Sequence, residues 1–91
     1  MYLVFSSNKY KRAYKRIKQH KDFNRTKLEE VIDVLAQGKK LDLKYRDHEL
    51  TGDLAGFREC HIQSDILLMY EIVEDKLILV LVDLGSHSDL F

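Results

Sequence analysis

The chain opens on four apolar residues in a row, Tyr2, Leu3, Val4 and Phe5, and then turns polar. A short apolar run bounded by serines predicts a strand over 2–5. From Tyr10 the period changes. Tyr10, Ala13, Tyr14 and Ile17 fall at i, i+3, i+4 and i+7, which gathers them on one side of a helix. Ser6 or Ser7 can cap its start. "DFNR" at 22–25 breaks the pattern, and Leu28, Val31, Ile32 and Leu35 resume it. Thr26 with Glu29 fits a capping box, and Gly38 fits the stop. Two amphipathic helices joined by a short turn predict an αα-hairpin.

After residue 39 the helical period is lost, and "KKLDLKYRDHELTGD" reads as a loop. "GFRECHIQ" (56–63) alternates as a strand does, while "ILLMYEIV" (66–73) and "KLILVLVDL" (76–84) are strong strands joined by a short hairpin. "GSHSDLF" is a glycine turn and a short tail, with Leu90 and Phe91 as a candidate docking plug. The order β-α-α-β-β-β predicts an α+β fold over residues 1–91: an antiparallel sheet of about four strands, with the helical pair on one face. Strand 76–84 adds a complication. Leu77, Leu79 and Leu81 point one way and Ile78, Val80 and Val82 the other, so both faces are apolar. One helical pair covers one face; the second is expected to curl into a groove or to meet another chain.

Composition narrows the class. Apolar residues at 45% fit a globular chain, and there is no proline. The longest apolar run is far short of the ~20 residues a membrane span needs. The start lacks the basic region and long apolar stretch of a secretory signal. A lone cysteine, Cys60, leaves no internal disulfide framework, and a cytoplasmic placement is expected. The net charge of zero hides an asymmetry: residues 1–46 hold 13 Lys or Arg against 5 Asp or Glu, and residues 47–91 hold 2 against 10. On the first helix Lys9, Lys11, Arg12, Lys15, Arg16 and Lys18 form a basic face, which suits a polyanion partner through counterion release.

Candidate chemistry is concentrated in "RDHELTGDLAGFRECHIQSD" (46–65), with two of the four histidines and five carboxylates, and in His87 beyond the last strand. In an antiparallel meander His48, His61 and His87 can meet at one rim of the sheet. A tight turn at Gln63–Ser64 would bring Asp65 near His61. Histidines with ordinary pKa values near 6.5 can serve as base and acid at neutral pH, and Asp65 can orient an imidazole. Arg58 could steady charge on a phosphoryl oxygen. These groups suffice for ribonuclease chemistry without a metal. The same residues could instead bind zinc, but spacings of 13, 4 and 22 residues match no compact zinc motif. Cys60 reads as a packed side chain, His20 as a surface histidine, and Gly52 and Gly56 as turn residues.

The set His48, Leu50, Gly52, then Gly56, Phe57, Arg58, His61, Asp65, then Gly85 and His87 resembles the YafQ-like branch of the RelE/ParE toxin superfamily. The likeness is close over 46–91 and architectural over 1–45. It implies a toxin of a type II toxin–antitoxin module. Such a toxin enters the ribosome and cuts translated messenger RNA without a cofactor. A cognate antitoxin neutralises it, and the resulting hetero-oligomer binds operator DNA. By position it implies His48, His61, Asp65 and His87 as the catalytic set with Phe91 at its edge, His87 as acid, and His48 or His61 as base. The basic face Lys11, Arg12, Lys15, Arg16 and Lys18 would meet 16S ribosomal RNA. One departure stands out: many relatives carry an aromatic residue after the aspartate, and here it is Ile66, which cannot stack on a base. Two rival functions are a ParE-like gyrase inhibitor, which would need no acid–base pair, and a degenerate toxin that only binds partners.

Overall fold

The computed structural model describes residues Met1–Phe91. The opening apolar run forms β1 (Leu3–Ser6). Ser7 then turns the chain into α1 (Asn8–Ile17), its hydroxyl accepting a hydrogen bond from the Tyr10 N–H at 3.0 Å. Tyr10, Ala13 and Ile17 are buried, as their spacing requires. The second helix, α2 (Arg25–Ala36), differs at its start. Its cap is Asn24, whose side-chain oxygen accepts from the Lys27 N–H at 3.0 Å, and not a Thr26–Glu29 box. Asn24 still has extended backbone, whereas Thr26 is already inside the helix, and Glu29 instead meets Arg25 at 3.0 Å. Gly38, with φ of +76°, ends α2 in the left-handed turn that glycine adopts without a Cβ clash.

Residues 39–57 are more ordered than their pattern shows. Single 3₁₀ turns occupy Leu43–Tyr45 and Gly52–Leu54, and between them His48–Glu49 forms a two-residue strand, β2. Gly52 and Gly56 take φ of +66° and +99°, so their role is turn geometry. The later strands are β3 (Arg58–Gln63), β4 (Ile66–Val73) and β5 (Ile78–Gly85), and the tail is a short helix, α3 (His87–Leu90). Ser86 caps α3 reciprocally with Asp89.

The sheet has five strands in the order β1-β5-β4-β3-β2. The expectation of about four antiparallel strands is corrected in two ways. β2 adds a fifth strand, too short to show a period. The β1–β5 pair is parallel, with Leu3 opposite Ile78 and Phe5 opposite Val80, so the sheet is mixed. Apolar periodicity identifies a strand but carries no information on its direction.

The helices pack on one face of this sheet. Tyr10, Ala13, Ile17, Leu28, Val31 and Leu35 meet Cys60, Ile62, Leu68, Tyr70, Leu79, Leu81 and Leu84 in one core. Leu81 and Leu84 both face it because β5 bulges at Val82: Met69 pairs with Asp83 but Tyr70 pairs with Leu81. The extra residue flips the alternation. Truncating a core leucine such as Leu68 or Leu79, both fully buried, would cost about 2–5 kcal/mol. The other sheet face has no helical layer. Ile78, Val80 and Val82 are half-buried there, and on the edge strand Leu3 and Phe5 stay 76% and 59% exposed. No helix is long and apolar enough to cross a membrane.

Candidate functional site

The bare sheet face carries the chemistry. On β3, Cys60 and Ile62 point into the helix-side core, so the alternating Glu59 and His61 point the other way. Across the strands His61 pairs with Leu67 and Glu59 with Met69, both buried, which gives the site an apolar floor. β2 sets His48 directly opposite Glu59. The capped start of α3 delivers His87 beside the end of β5, and Phe91 closes the helix. Asp65 lies in the β3–β4 turn with φ of 55°, a left-handed conformation that aspartate tolerates better than most residues.

The three expected histidines therefore gather at one rim. The His61 and His87 rings are 5.7 Å apart, edge to face, and Phe91 lies 6.4 Å from His87. Asp65 turns to His87 and not to His61: its Oδ1 is 3.6 Å from His87 Nδ1 and accepts from the His87 backbone N–H at 3.4 Å. The turn residues are Ser64 and Asp65, one position later than the pattern suggests, and this swings the carboxylate toward α3. A proton on Nδ1 facing Asp65 leaves Nε2 of His87 free to work. His48 is engaged on both ring nitrogens. Nδ1 lies 2.7 Å from the Arg46 carbonyl oxygen, which can only accept, so Nδ1 donates; Nε2 is 3.5 Å from Glu59 Oε1. Glu59 is buried, and its Oε2 has no hydrogen-bond partner.

Electrostatics bear on His61. Burial lowers the His61 pKa below the usual 6.5, because a charged imidazolium is disfavoured away from water. Arg46, His87 and His48 push the same way, and Glu59 opposes them. His61 therefore keeps a free lone pair at neutral pH.

Other sequence candidates lie elsewhere. Arg58 does not join the histidines. It shares its face with Cys60, and its guanidinium meets Asp47 Oδ2 at 3.0 Å, Glu49 Oε1 at 3.3 Å and the Tyr70 hydroxyl at 3.3 Å. Tyr70 in turn donates to Asp47. Hydrogen bonding to Asp47 raises the Arg58 pKa, and burial raises that of Tyr70. This knot fastens the 46–49 segment to the back of the sheet. On α1, Arg16 meets Asp89 at 3.8 Å beside α3, and Lys9 meets Asp83 at 3.3 Å. Lys11, Arg12, Lys15 and Lys18 are exposed and make no ion pair. His20 lines a shallow cavity of about 360 Å³ with Arg16, Phe23, Asp65 and Ile66. Cys60 is fully buried, and burial raises its pKa, so it is an unreactive thiol.

Sequence reasoning missed Glu59, Arg46 and Gln63. Glu59 was within reach, since it stands two residues from His61 on one strand. Arg46 sits in an aperiodic segment and gave no signal. Gln63 accepts from the Asn24 N–H at 2.7 Å and donates to the Asp22 carbonyl at 2.8 Å, tying the helix linker to the end of β3. Glu59, His61 and His87 also place their ligand atoms within 4.8 Å of one another, a cluster that the linear spacings did not reveal.

Residues 2–91 match the family model described as "Bacterial toxin of type II toxin-antitoxin system, YafQ". The chain is 37% identical over 75 residues to the mRNA interferase toxin YafQ of Escherichia coli K12, covering 81% of this chain and 77% of that one. A metal-bound toxin from Helicobacter pylori superposes with a TM-score of 0.92 at 41% identity, with all of both chains covered. The E. coli DinJ–YafQ complex superposes at 0.85 and 27% identity, covering 100% of this chain and 99% of that one. A family match over nearly every residue, together with the shared fold, makes this chain a member of the YafQ family of bacterial type II toxin–antitoxin toxins.

Proposed function

We propose that the protein is a ribosome-dependent endoribonuclease that cleaves translated messenger RNA by histidine acid–base catalysis. The observation that carries this reading is the pairing of His61 and His87, with rings 5.7 Å apart and in unlike surroundings. His61, held neutral, takes the proton from the 2′-hydroxyl. The resulting oxyanion attacks the adjacent phosphorus and displaces the 5′-oxygen of the next nucleotide. His87, oriented by Asp65, gives that oxygen its proton. The products are a 2′,3′-cyclic phosphate and a 5′-hydroxyl. Each histidine is worth about 10²–10⁴-fold in rate by this mechanism. His48 and Glu59 brace the floor, and Phe91 stands where it can pack on a base. The exposed cations of α1, including Lys11, Arg12, Lys15 and Lys18, suit a ribosomal RNA surface.

A cognate antitoxin is the protein partner in this reading, as DinJ is in the solved E. coli complex. The exposed Leu3, Val4 and Phe5 on the edge strand supply an apolar surface for such a partner. The toxin–antitoxin complex would bind operator DNA.

Glu59, His61 and His87 also fit a transition-metal ion: two imidazoles and a buried carboxylate with an orphaned oxygen form a nitrogen–oxygen donor set. Such an ion is a Lewis acid when bound. It would also occupy the lone pairs that the proton transfers need, so added zinc should bind, shift the His61 and His87 ring resonances and inhibit cleavage.

Primer extension on a message translated in the presence of the protein tests the main reading. Cuts inside codons that require ribosomes, and that disappear for His87→Ala, are expected. DNA breakage with intact message would favour gyrase inhibition instead, and neither effect would leave a partner-binding module.

A further inference from the structure

Beside His61 the sheet edge is open. β2 covers β3 only as far as the His48–Glu59 pair, so residues 61–63 border a cleft of about 260 Å³. Its walls are Lys27 of α2 and the segment Lys44, Tyr45 and Arg46. Three cations thus face one another across a gap with no carboxylate in its lining. None of the three takes part in any ion pair of the molecule, whereas Arg58 alone engages both Asp47 and Glu49. Lys44 lies over the half-buried Tyr45 ring at 5.2 Å. Arg46 holds a left-handed φ of 51°, uncommon for a side-chain-bearing residue, and its carbonyl oxygen is the partner of His48 Nδ1 at 2.7 Å. The catalytic cluster and the cleft are therefore built on the same short segment.

His61 is the junction. It lines the cleft on one side and meets the His87 ring on the other. We propose that this cleft binds the backbone phosphates of the RNA strand on the 5′ side of the cleaved linkage, through Lys27, Lys44 and Arg46. The proposal rests on the ribonuclease reading for its polarity. The base must reach the 2′-hydroxyl of the upstream nucleotide, and the cleft lies on the base's side. The leaving 5′-oxygen belongs to the downstream nucleotide, on the side of His87 and Phe91. Three unpaired cations beside a neutral imidazole suit a polyanion, because each phosphate contact releases condensed counterions.

The test uses the full chain and a short single-stranded RNA, 2′-O-methylated throughout so that it cannot be cut. Binding is followed by fluorescence anisotropy across a salt series. Each phosphate contact on a single strand contributes a slope of about 0.7 in log affinity against log salt. A Lys27→Met/Lys44→Met/Arg46→Met variant should lose a slope of roughly 2 relative to wild type. A control of equal charge loss outside the cleft, Lys39→Met/Lys40→Met/Lys76→Met, should keep the wild-type slope. A nitroxide on the 5′ end of the RNA should broaden the backbone amide resonances of residues 44–46, and one on the 3′ end should broaden those of α3. Equal slopes in the two variants, wild-type binding that ignores salt, or the reverse broadening pattern would overturn the proposal. If message is still cleaved while the slopes are equal, the cleft assignment alone fails. If the slopes behave as expected but no message is cleaved, the ribonuclease reading fails and the cleft stands as an RNA site.

Discussion

His61 points away from the helix-side core that holds Cys60 and Ile62, and its partial burial over Leu67 on the other face explains why its ring resists a proton. The consequence is a pH dependence with a definite sign. The acidic limb of the cleavage rate reports protonation of the base, so half-maximal activity on that side should fall below pH 6.5, the ordinary histidine value. A pH–rate series, with His61 ring shifts followed by NMR, checks this; a limb at or above that value would contradict it. The same shift makes folding stability fall as pH drops below the unfolded pKa, because the unfolded chain then binds the proton more readily. Arg58 makes a contrasting case. Arg58→Met leaves the Asp47 carboxylate half-buried beside Tyr70 without its cation and should destabilise the fold by about 1–3 kcal/mol in urea melts. His48, His61, Asp65 and His87 were legible in sequence as titratable residues crowded outside any apolar stripe. The direction of Arg58 was also encoded, since residues three apart on a strand face opposite ways. Its proximity in sequence to His61 outweighed its parity.

At the scale of elements, caps and turns decide where the histidines stand. The α2 cap is a clean comparison. Asn24→Ala should cost about 1 kcal/mol, while Thr26→Ala should change stability little, as read by thermal unfolding. The sequence pattern pointed to Thr26, and the extended backbone at Asn24 moved the cap two residues earlier. Gly85 is the other sensitive point. A Cβ there would lie 2.8 Å from the Asp89 Cβ, so Gly85→Ala must push α3 away from the end of β5. Because α3 carries His87, this variant should lose cleavage while retaining the sheet, seen as preserved far-UV dichroism with shifted His87 resonances. The helices and the three long strands were readable because each spans enough residues to display a period. β2 and α3, at two and four residues, do not, and both turn out to hold a histidine.

At the scale of the molecule, the basic half and the acidic half of the chain end up serving different ends. The basic residues of α1 remain exposed, while three carboxylates of the acidic half turn inward to partners: Asp47 to Arg58, Asp83 to Lys9 and Glu59 to His48. The predicted bare apolar face is present along β1 and β5. A Leu3→Lys/Phe5→Lys variant should bind less of an apolar fluorescent dye than wild type with little change in melting temperature, since both residues are largely exposed. Unchanged dye binding would place the apolar surface elsewhere. If a neutral His61 and an Asp65-oriented His87 work as base and acid on one phosphate, as proposed, the chemistry of the cut ends is fixed. Message cleaved in a purified translation reaction should carry 2′,3′-cyclic phosphate and 5′-hydroxyl termini, with no cut where the upstream nucleotide is 2′-deoxy. A 5′-phosphate with a 3′-hydroxyl would contradict the proposal.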